Sequence, residues 1–501
     1  MQKYFVGIDL GTGSTKAVAL DTNGIVLCLA QHYYPTINLQ PGYSEQNPCL
    51  IWDAFVLCVN EVTAKLGCAP SFIGFSAAMH SIMPVNDAGE PLANALLWAD
   101  SRSGEIAQAI RSSAQGEDIY RHTGTAIYAM SPLCKLIWLR DNEPDLLARA
   151  HKFISIKEFI WFKLFGVFEV DHSIASATGM LDILNREWYA PSLSLAGITT
   201  DKLSTPVSTK YYRYLTARND TLPMITNETA FVIGASDGCC ANLGGNAVTP
   251  GTAALTIGTS GAVRTGSTRP VYNYGAMTFN YILDEQIFIC GGAVNNGGAA
   301  LDWVIKEFLK YPQVNDDIYR QVFSEIATAP AGSDGLIFLP YLYAERAPVW
   351  DAKSSAAFLN ISFKHQRQHF LRAALEGICY ALNDVLCAVE QSSQPIEQIV
   401  ISGGFVSSQV WVQMLADITG KLLVLQQAED ASAIGAIYLG LQAFGENVQK
   451  VTDKGGESLS IIMPDAVNYQ VYNRVFAIYQ KLYKNLKESM HLMHGLDISG
   501  S

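Results

Sequence analysis

With 501 residues, 49% of them hydrophobic and 16% charged, the chain is too long for one core and too apolar for disorder, so two large globular domains are expected. A formal net charge of -12 makes nucleic acid and anionic membranes unfavourable partners. None of the 10 cysteines forms a Cys-x-x-Cys pair, no leader precedes the first apolar run, and no apolar stretch is long enough to span a bilayer, so a reduced, cytoplasmic protein is expected.

Residues 4–9, 16–21 and 25–30 are short apolar runs joined by tight turns, which predicts an antiparallel meander. A helix is predicted over 48–66, opened by Pro48 and closed by Gly67, and a strand over 71–76. The second half opens alike. A run over 252–257, a Gly-Thr-Ser-Gly turn and a return over 262–265 repeat the pattern, as IDLGTGSTKAV beside TIGTSGAVRT shows. We read this as a duplicated α/β unit with its boundary near 242–252. The divisions are 1–247, 248–445 and a helical C-terminal extension over 446–501, whose tyrosine-rich stretch 468–492 is expected to pack on the surface or on another subunit.

Moving phosphate requires holding a polyanion, which backbone N–H groups in Gly-rich turns do with the help of hydroxyls and a lysine. Asp9, Gly11, Thr12, Gly13, Ser14 and Lys16 supply these in the first turn, with Asp9 suited to the water shell of Mg²⁺. Gly258, Thr259 and Ser260 form a second clamp. Neither turn has Walker A spacing, and either alone also reads as an ordinary hairpin; the matched pair favours phosphate.

These turns belong to a longer pattern that resembles the FGGY carbohydrate kinases, which share the actin, hexokinase and Hsp70 ATPase fold. The run Met130-Ser131-Pro132-Leu133-Cys134-Lys135-Leu136-Ile137-Trp138-Leu139-Arg140-Asp141-Asn142 fits that family's first signature. Residues 360–376 fit the second, with Asn360 where a small residue is usual. The resemblance implies two actin-like (ribonuclease H-like) domains with a catalytic cleft between them, ATP and Mg²⁺ as cofactors, and the homodimer common in the family. Ala78-Met79-His80-Ser81, Trp98-Ala99-Asp100-Ser101-Arg102 and residues 171–179 are similar to the gluconate kinase branch. That implies transfer from MgATP to D-gluconate, giving 6-phosphogluconate; the alternative is xylulose or a related pentulose. A non-catalytic ATPase or sugar sensor of the same fold is the rival of another class.

Gly234-Ala235-Ser236-Asp237-Gly238 is similar to the family's catalytic-base motif, with Cys239 in place of the usual Gln. Asp237 in a glycine-bounded turn can take the proton of an attacking hydroxyl; by residue type alone it also reads as an Asx-turn or helix cap. His80, beside Met79 at a strand end, is read as a donor to a sugar hydroxyl or as a structural histidine. Trp98 can cover a sugar face and Asp100 can accept from hydroxyls. Arg102 is expected to meet the carboxylate, or else to form a surface ion pair. Two further Gly-rich segments precede predicted helices over 301–309 and 411–419; by the resemblance, Asn296, Gly298, Gly403 and Gly404 line the nucleotide site. His365 and His369 are spaced for one helix face, which can hold a metal but more simply faces solvent or an interface.

Overall fold

The structure, a computed structural model, describes residues 3–311, 313–425, 430–446, 448, 460–494 and 496. The first half is built on β1 (Tyr4–Leu10), β2 (Ser14–Asp21), β3 (Val26–Tyr33), β4 (Phe72–Ala77), β5 (Tyr212–Tyr214) and β6 (Ala230–Ser236). They form one sheet in the order β5-β6-β4-β1-β2-β3, with β1 antiparallel to β2 and parallel to β4. Helix α1 (Pro48–Leu66) covers one face, and its ends follow local chemistry. Asn47 caps the start by accepting from the Cys49 N–H, Pro48 opens the first turn, and Gly67 stops the helix at φ 70°.

The second half repeats the plan with β7 (Thr252–Ile257), β8 (Gly261–Ser267), β9 (Phe279–Ile282), β10 (Phe288–Val294), β11 (Gln398–Ser402), β12 (Leu422–Leu425) and β13 (Ser460–Ile462). The order is β9-β10-β8-β7-β11-β12-β13. The β7–β8 hairpin is antiparallel and β7 lies parallel to β11, as β1 does to β4. Both sheets therefore present a hairpin turn next to the C-terminal end of a parallel strand, where α/β folds gather ligands.

Four helices complete the frame around the cleft. Helix α2 (Asp237–Gly244) follows β6 directly, α3 (Arg367–Glu390) is the long buried helix of the second half, and α4 (Gln409–Thr419) flanks it. Helix α5 (Ala431–Ala443) crosses back from the second half and seats on the first sheet. Glycines make this approach possible: a Cβ on Gly7 would lie 1.9 Å from the Ala433 carbonyl oxygen, and one on Gly74 would lie 2.4 Å from that of Ala436. The tyrosine-rich C-terminal stretch is α6 (Ala466–His494), which packs on the second half of its own chain. Tyr472 and Tyr479 are buried, and Arg372 donates to the Tyr472 hydroxyl at 2.6 Å.

Three local expectations are corrected. The helix expected over 301–309 starts earlier, at Gly298–Trp303, and runs on as a π-helical turn over Val304–Phe308. Gly291 and Gly292, which open the Gly-rich segment expected to lead into that helix, belong to β10: a Cβ on Gly291 would meet the Val263 carbonyl oxygen at 2.1 Å, so the close strand pairing needs a glycine there. His365 precedes α3, so it does not share a helix face with His369, and no cluster of three or more metal-ligating side chains exists among the described residues. No described helix is long and apolar enough to cross a membrane.

Candidate active site

A cavity of about 360 Å³ opens between the two sheets. The first half contributes Thr12, Met79, His80, Trp98 and Asp237; the second contributes Gly258, Ser260, Arg264, Tyr281 and Arg346. Residues far apart in sequence thus converge on one space, at a volume suited to a small ligand.

The hairpin turns are pre-shaped. The Gly11 N–H donates to the Ser14 carbonyl at 3.0 Å, and the Tyr34 hydroxyl donates to the Gly11 carbonyl at 2.6 Å. Gln31 donates to the Ser14 hydroxyl at 2.8 Å, and Gln46 donates to the Thr12 carbonyl. In the second turn the Gly258 N–H donates to the Ser260 carbonyl at 2.9 Å. The Gly298 N–H donates to the Gly258 carbonyl at 2.7 Å, and the Gly297 N–H to the Thr259 carbonyl at 3.1 Å. At Gly13, Gly258 and Gly404 a Cβ would meet nothing within 4 Å, and none of the three has a positive φ. Neither packing nor backbone conformation calls for glycine there. Glycine at these positions leaves the backbone open to approach by an outside group. Gly403 differs: it has φ 112°, and a Cβ would lie 2.2 Å from the Ile257 carbonyl oxygen, so it lets the 402–405 loop lie against the base of the second turn. Lys16 is held by Asp430 at 2.7 Å, at the head of α5.

Asp237 is not in a free turn but is the first residue of α2, which Ser236 caps by accepting from the Cys239 N–H. Its Oδ1 accepts from the Gly238 N–H at 2.7 Å. Burial raises its pKa, opposed first by the Arg264 guanidinium. Across the site Asp9 ends the core of β1, and its Oδ1 accepts from the Ser76 hydroxyl at 2.8 Å. Burial, then the Asp237 carboxylate, push Asp9 up to about 6. Two buried carboxylates that disfavour each other's charge are a setting that a cation relieves.

His80 adopts φ 66° and is buried. Its Nδ1 lies 2.9 Å from the Ala177 carbonyl, which can only accept, so Nδ1 carries the proton. The Tyr281 hydroxyl, 3.3 Å away, then faces the lone pair of Nε2. Burial holds His80 down at about 3, so it stays neutral. That lone pair is met by the Tyr281 hydroxyl, and Nε2 has no proton to give, whereas the sequence reading had His80 donate. Trp98 Nε1 donates to the Thr12 hydroxyl at 3.1 Å, tying the indole to the first turn.

Sequence reasoning gave Lys135 no role. It is fully buried and donates to the carbonyls of His80 at 2.7 Å and Leu97 at 2.6 Å, bracing the two segments that present His80 and Trp98. Burial lowers its pKa from 10.5 to about 7. Between those values the unfolded chain binds the proton and the folded chain does not, so this group makes stability rise with pH over that window. Lys135→Met is expected to remove that part of the slope. Denaturant titrations of parent and variant at neutral and alkaline pH check it; parallel pH profiles would contradict the assignment.

Asp100 and Arg102 are not among the residues lining the cavity. The Arg102 guanidinium donates to both oxygens of Asp100, through Nε at 2.9 Å and Nη2 at 2.8 Å, and to Glu45 at 2.5 Å, and stacks over Tyr43. Its charge is already matched by two carboxylates. Asn296 is likewise fully engaged: its amide nitrogen donates to the Ala344 carbonyl and to Glu345, and its oxygen accepts from the Tyr343 N–H. It braces the segment that ends in Arg346. The guanidinium groups that do line the cavity, Arg264 and Arg346, went unnoticed in the sequence; the one available signal was an arginine inside the otherwise uncharged, small-residue strand after the second turn.

Two like-built sheets, each turning a Gly-rich hairpin toward a shared cavity beside the helix-starting Asp237, are the arrangement of the two-domain, actin-like fold. The description "FGGY family of carbohydrate kinases, N-terminal domain" matches residues 4–244 and its C-terminal counterpart matches residues 253–444, so the chain belongs to the FGGY family of carbohydrate kinases. It is 37% identical to the gluconokinase of Bacillus subtilis (strain 168) over 97% of each chain. It is 39% identical to that of Bacillus licheniformis over 89% of this chain and 88% of the relative. The xylulose kinase of Bacillus subtilis (strain 168) is 27% identical over 97% of this chain and 98% of the relative. Among solved structures, the gluconate kinase from Lactobacillus acidophilus superposes with a TM-score of 0.91 at 30% identity, covering 97% of this chain and 98% of its own. The ligand-bound xylulose kinase from Lactobacillus acidophilus gives 0.93 at 31% identity, covering 98% and 100%.

Proposed function

We propose that this chain transfers the γ-phosphoryl group of ATP to a hydroxyl of D-gluconate, giving 6-phosphogluconate and ADP. The observation that carries the transfer is the meeting of Asp237 with the turn residues Thr12, Gly258 and Ser260 around one cavity. The choice of gluconate over a pentulose is supported by identities of 37% and 39% to gluconokinases against 27% to a xylulose kinase.

In this reading the sugar acid lies along Met79, His80 and Trp98, with His80 Nε2 accepting from one sugar hydroxyl that takes the place of Tyr281. Asp237 accepts the proton of the attacking hydroxyl and holds that oxygen in line with the phosphorus. Backbone N–H groups of the turns around Gly13 and Gly258 face the phosphates, and Gly403 and Gly404 border the remainder of the nucleotide. Asp9 suits Mg²⁺: it is a buried carboxylate with a raised pKa beside a second one, in a site without a full protein ligand cage. The ion would neutralise charge on the transferring group. Bringing the two halves together over both substrates excludes water, which otherwise competes for the phosphoryl group.

ADP release measured over gluconate, xylulose, ribulose, glycerol and fuculose tests the reading. Gluconate is expected to give the highest kcat/KM. A higher value on xylulose would move the assignment to the pentulose branch, and release independent of any sugar would make the protein an ATPase.

A further inference from the structure

Arg264 and Arg346 both face the cavity from the second half. Arg346 is 9% exposed, and its Nε is buried with no hydrogen-bond partner among the described residues. Among the described residues only its Nη2 is used, donating to the Val294 carbonyl at 3.1 Å, while the guanidinium lies 5.6 Å from the centre of the Trp98 ring. The neighbouring Glu345 offsets part of its charge but, among the described residues, makes no side-chain ion pair with it. That carboxylate accepts from the Asn295 N–H at 2.5 Å, the Asn296 amide at 2.9 Å and the Arg346 N–H at 2.8 Å. The Arg264 Nε is also buried without a partner among the described residues and would lie 3.1 Å from a Cβ on Gly238, so it sits over the first turn of α2.

A buried guanidinium with unused donors is costly unless an anion meets it. Two of them at one cavity repel each other, and the nearby Asp237 and Glu345 carboxylates offset charge but leave both Nε donors unfilled. Arg102, by contrast, has two carboxylate partners and no donor aimed at the cavity. We propose that Arg264 and Arg346 together receive the carboxylate of the acceptor, and that this pair distinguishes a sugar acid from a neutral sugar. The proposal rests on the gluconate reading. It has a mechanical consequence. The hydroxyl end of the acceptor belongs to the first half, through His80 and Asp237, and its acid end belongs to the second. The substrate is then a strut between the halves, and a sugar without the acid loses that link.

Calorimetry on the full-length protein with D-gluconate and with D-gluconamide, its uncharged isostere, isolates the carboxylate. The parent is expected to bind gluconate about 100-fold more tightly, in line with charge-assisted hydrogen bonds to a buried pair. Arg264→Gln and Arg346→Gln are each expected to shrink that ratio to about fivefold or less, whereas Arg102→Gln leaves the ratio as in the parent. The ATP dissociation constant should change little in either cavity variant. A parent that prefers neither ligand, variants that keep the parent's ratio, or a weakening for ATP equal to that for gluconate would each overturn the proposal. The last outcome would assign the arginines to the transferred phosphoryl group. Arg346 supports Val294, so should its variant fail to fold, Arg264→Gln decides, because among the described residues Arg264 makes no hydrogen bond to lose. Failure of the substrate reading is read separately: gluconate would then release no ADP from the parent.

Discussion

Asp237→Asn is expected to lower turnover on the sugar by about 10²–10⁴-fold while ATP binding and folding stay intact. Asparagine has the same shape and can still accept from the Gly238 N–H, so the start of α2 is preserved. What it lacks is the basicity to take a proton from the attacking hydroxyl. The change also removes a buried negative charge, whose desolvation is unfavourable, so thermal stability should hold or rise. Burial raises the Asp237 pKa, and a base must be ionised, so turnover of the parent should fall as pH drops through that value, whereas the residual turnover of the variant should not follow it. ADP-release kinetics, nucleotide titration and a melting curve cover the three parts. Turnover within tenfold of the parent would remove Asp237 from the chemistry.

What could be read in the sequence was what local chemistry decides. The hairpins at Gly11–Gly13 and Gly258–Gly261 were legible because strand, turn and strand lie within about a dozen residues of each other. Helix α1 was legible to the residue, since Pro48 and Gly67 mark both ends within the chain itself. Asp237 was found, but the flanking glycines suggested a turn; the helix start depends on the Ser236 hydroxyl turning back to the Cys239 N–H, which a Ser-Asp-Gly string does not announce. Lys135 was given no role for a tertiary reason. On a helix beside Arg140 it looks like a surface charge, and only the chain segments at His80 and Leu97 bring the carbonyls that bury it. Arg102 shows the converse. Its spacing to Asp100 was visible, but the Glu45 that completes its neutralisation arrives from another segment. No sequence signal told that α5, carried by the second half, seats on the first sheet.

That crossing gives the other large effect. Gly435→Ala is expected to destabilise the fold by about 3 kcal/mol, although alanine is the better helix former by about 1 kcal/mol. A Cβ on Gly435 would lie 1.9 Å from the Cys240 carbonyl oxygen, and on the facing helix a Cβ on Gly244 would lie 2.1 Å from that of Ala431. Both obstacles are backbone atoms, so no rotamer change relieves them; the helices must separate. Because α2 begins with Asp237, separation moves the carboxylate, and a shift of about 1 Å at a reacting group costs on the order of 100-fold in rate. Stability and turnover should therefore fall together in this variant. Gly13→Ala is the contrast: its Cβ would enter open space, so melting should be unchanged while ATP affinity drops. A Gly435→Ala protein that melts like the parent would mean that α2 and α5 are not in backbone contact, and the path from the second half to the Asp237 carboxylate would have to run elsewhere.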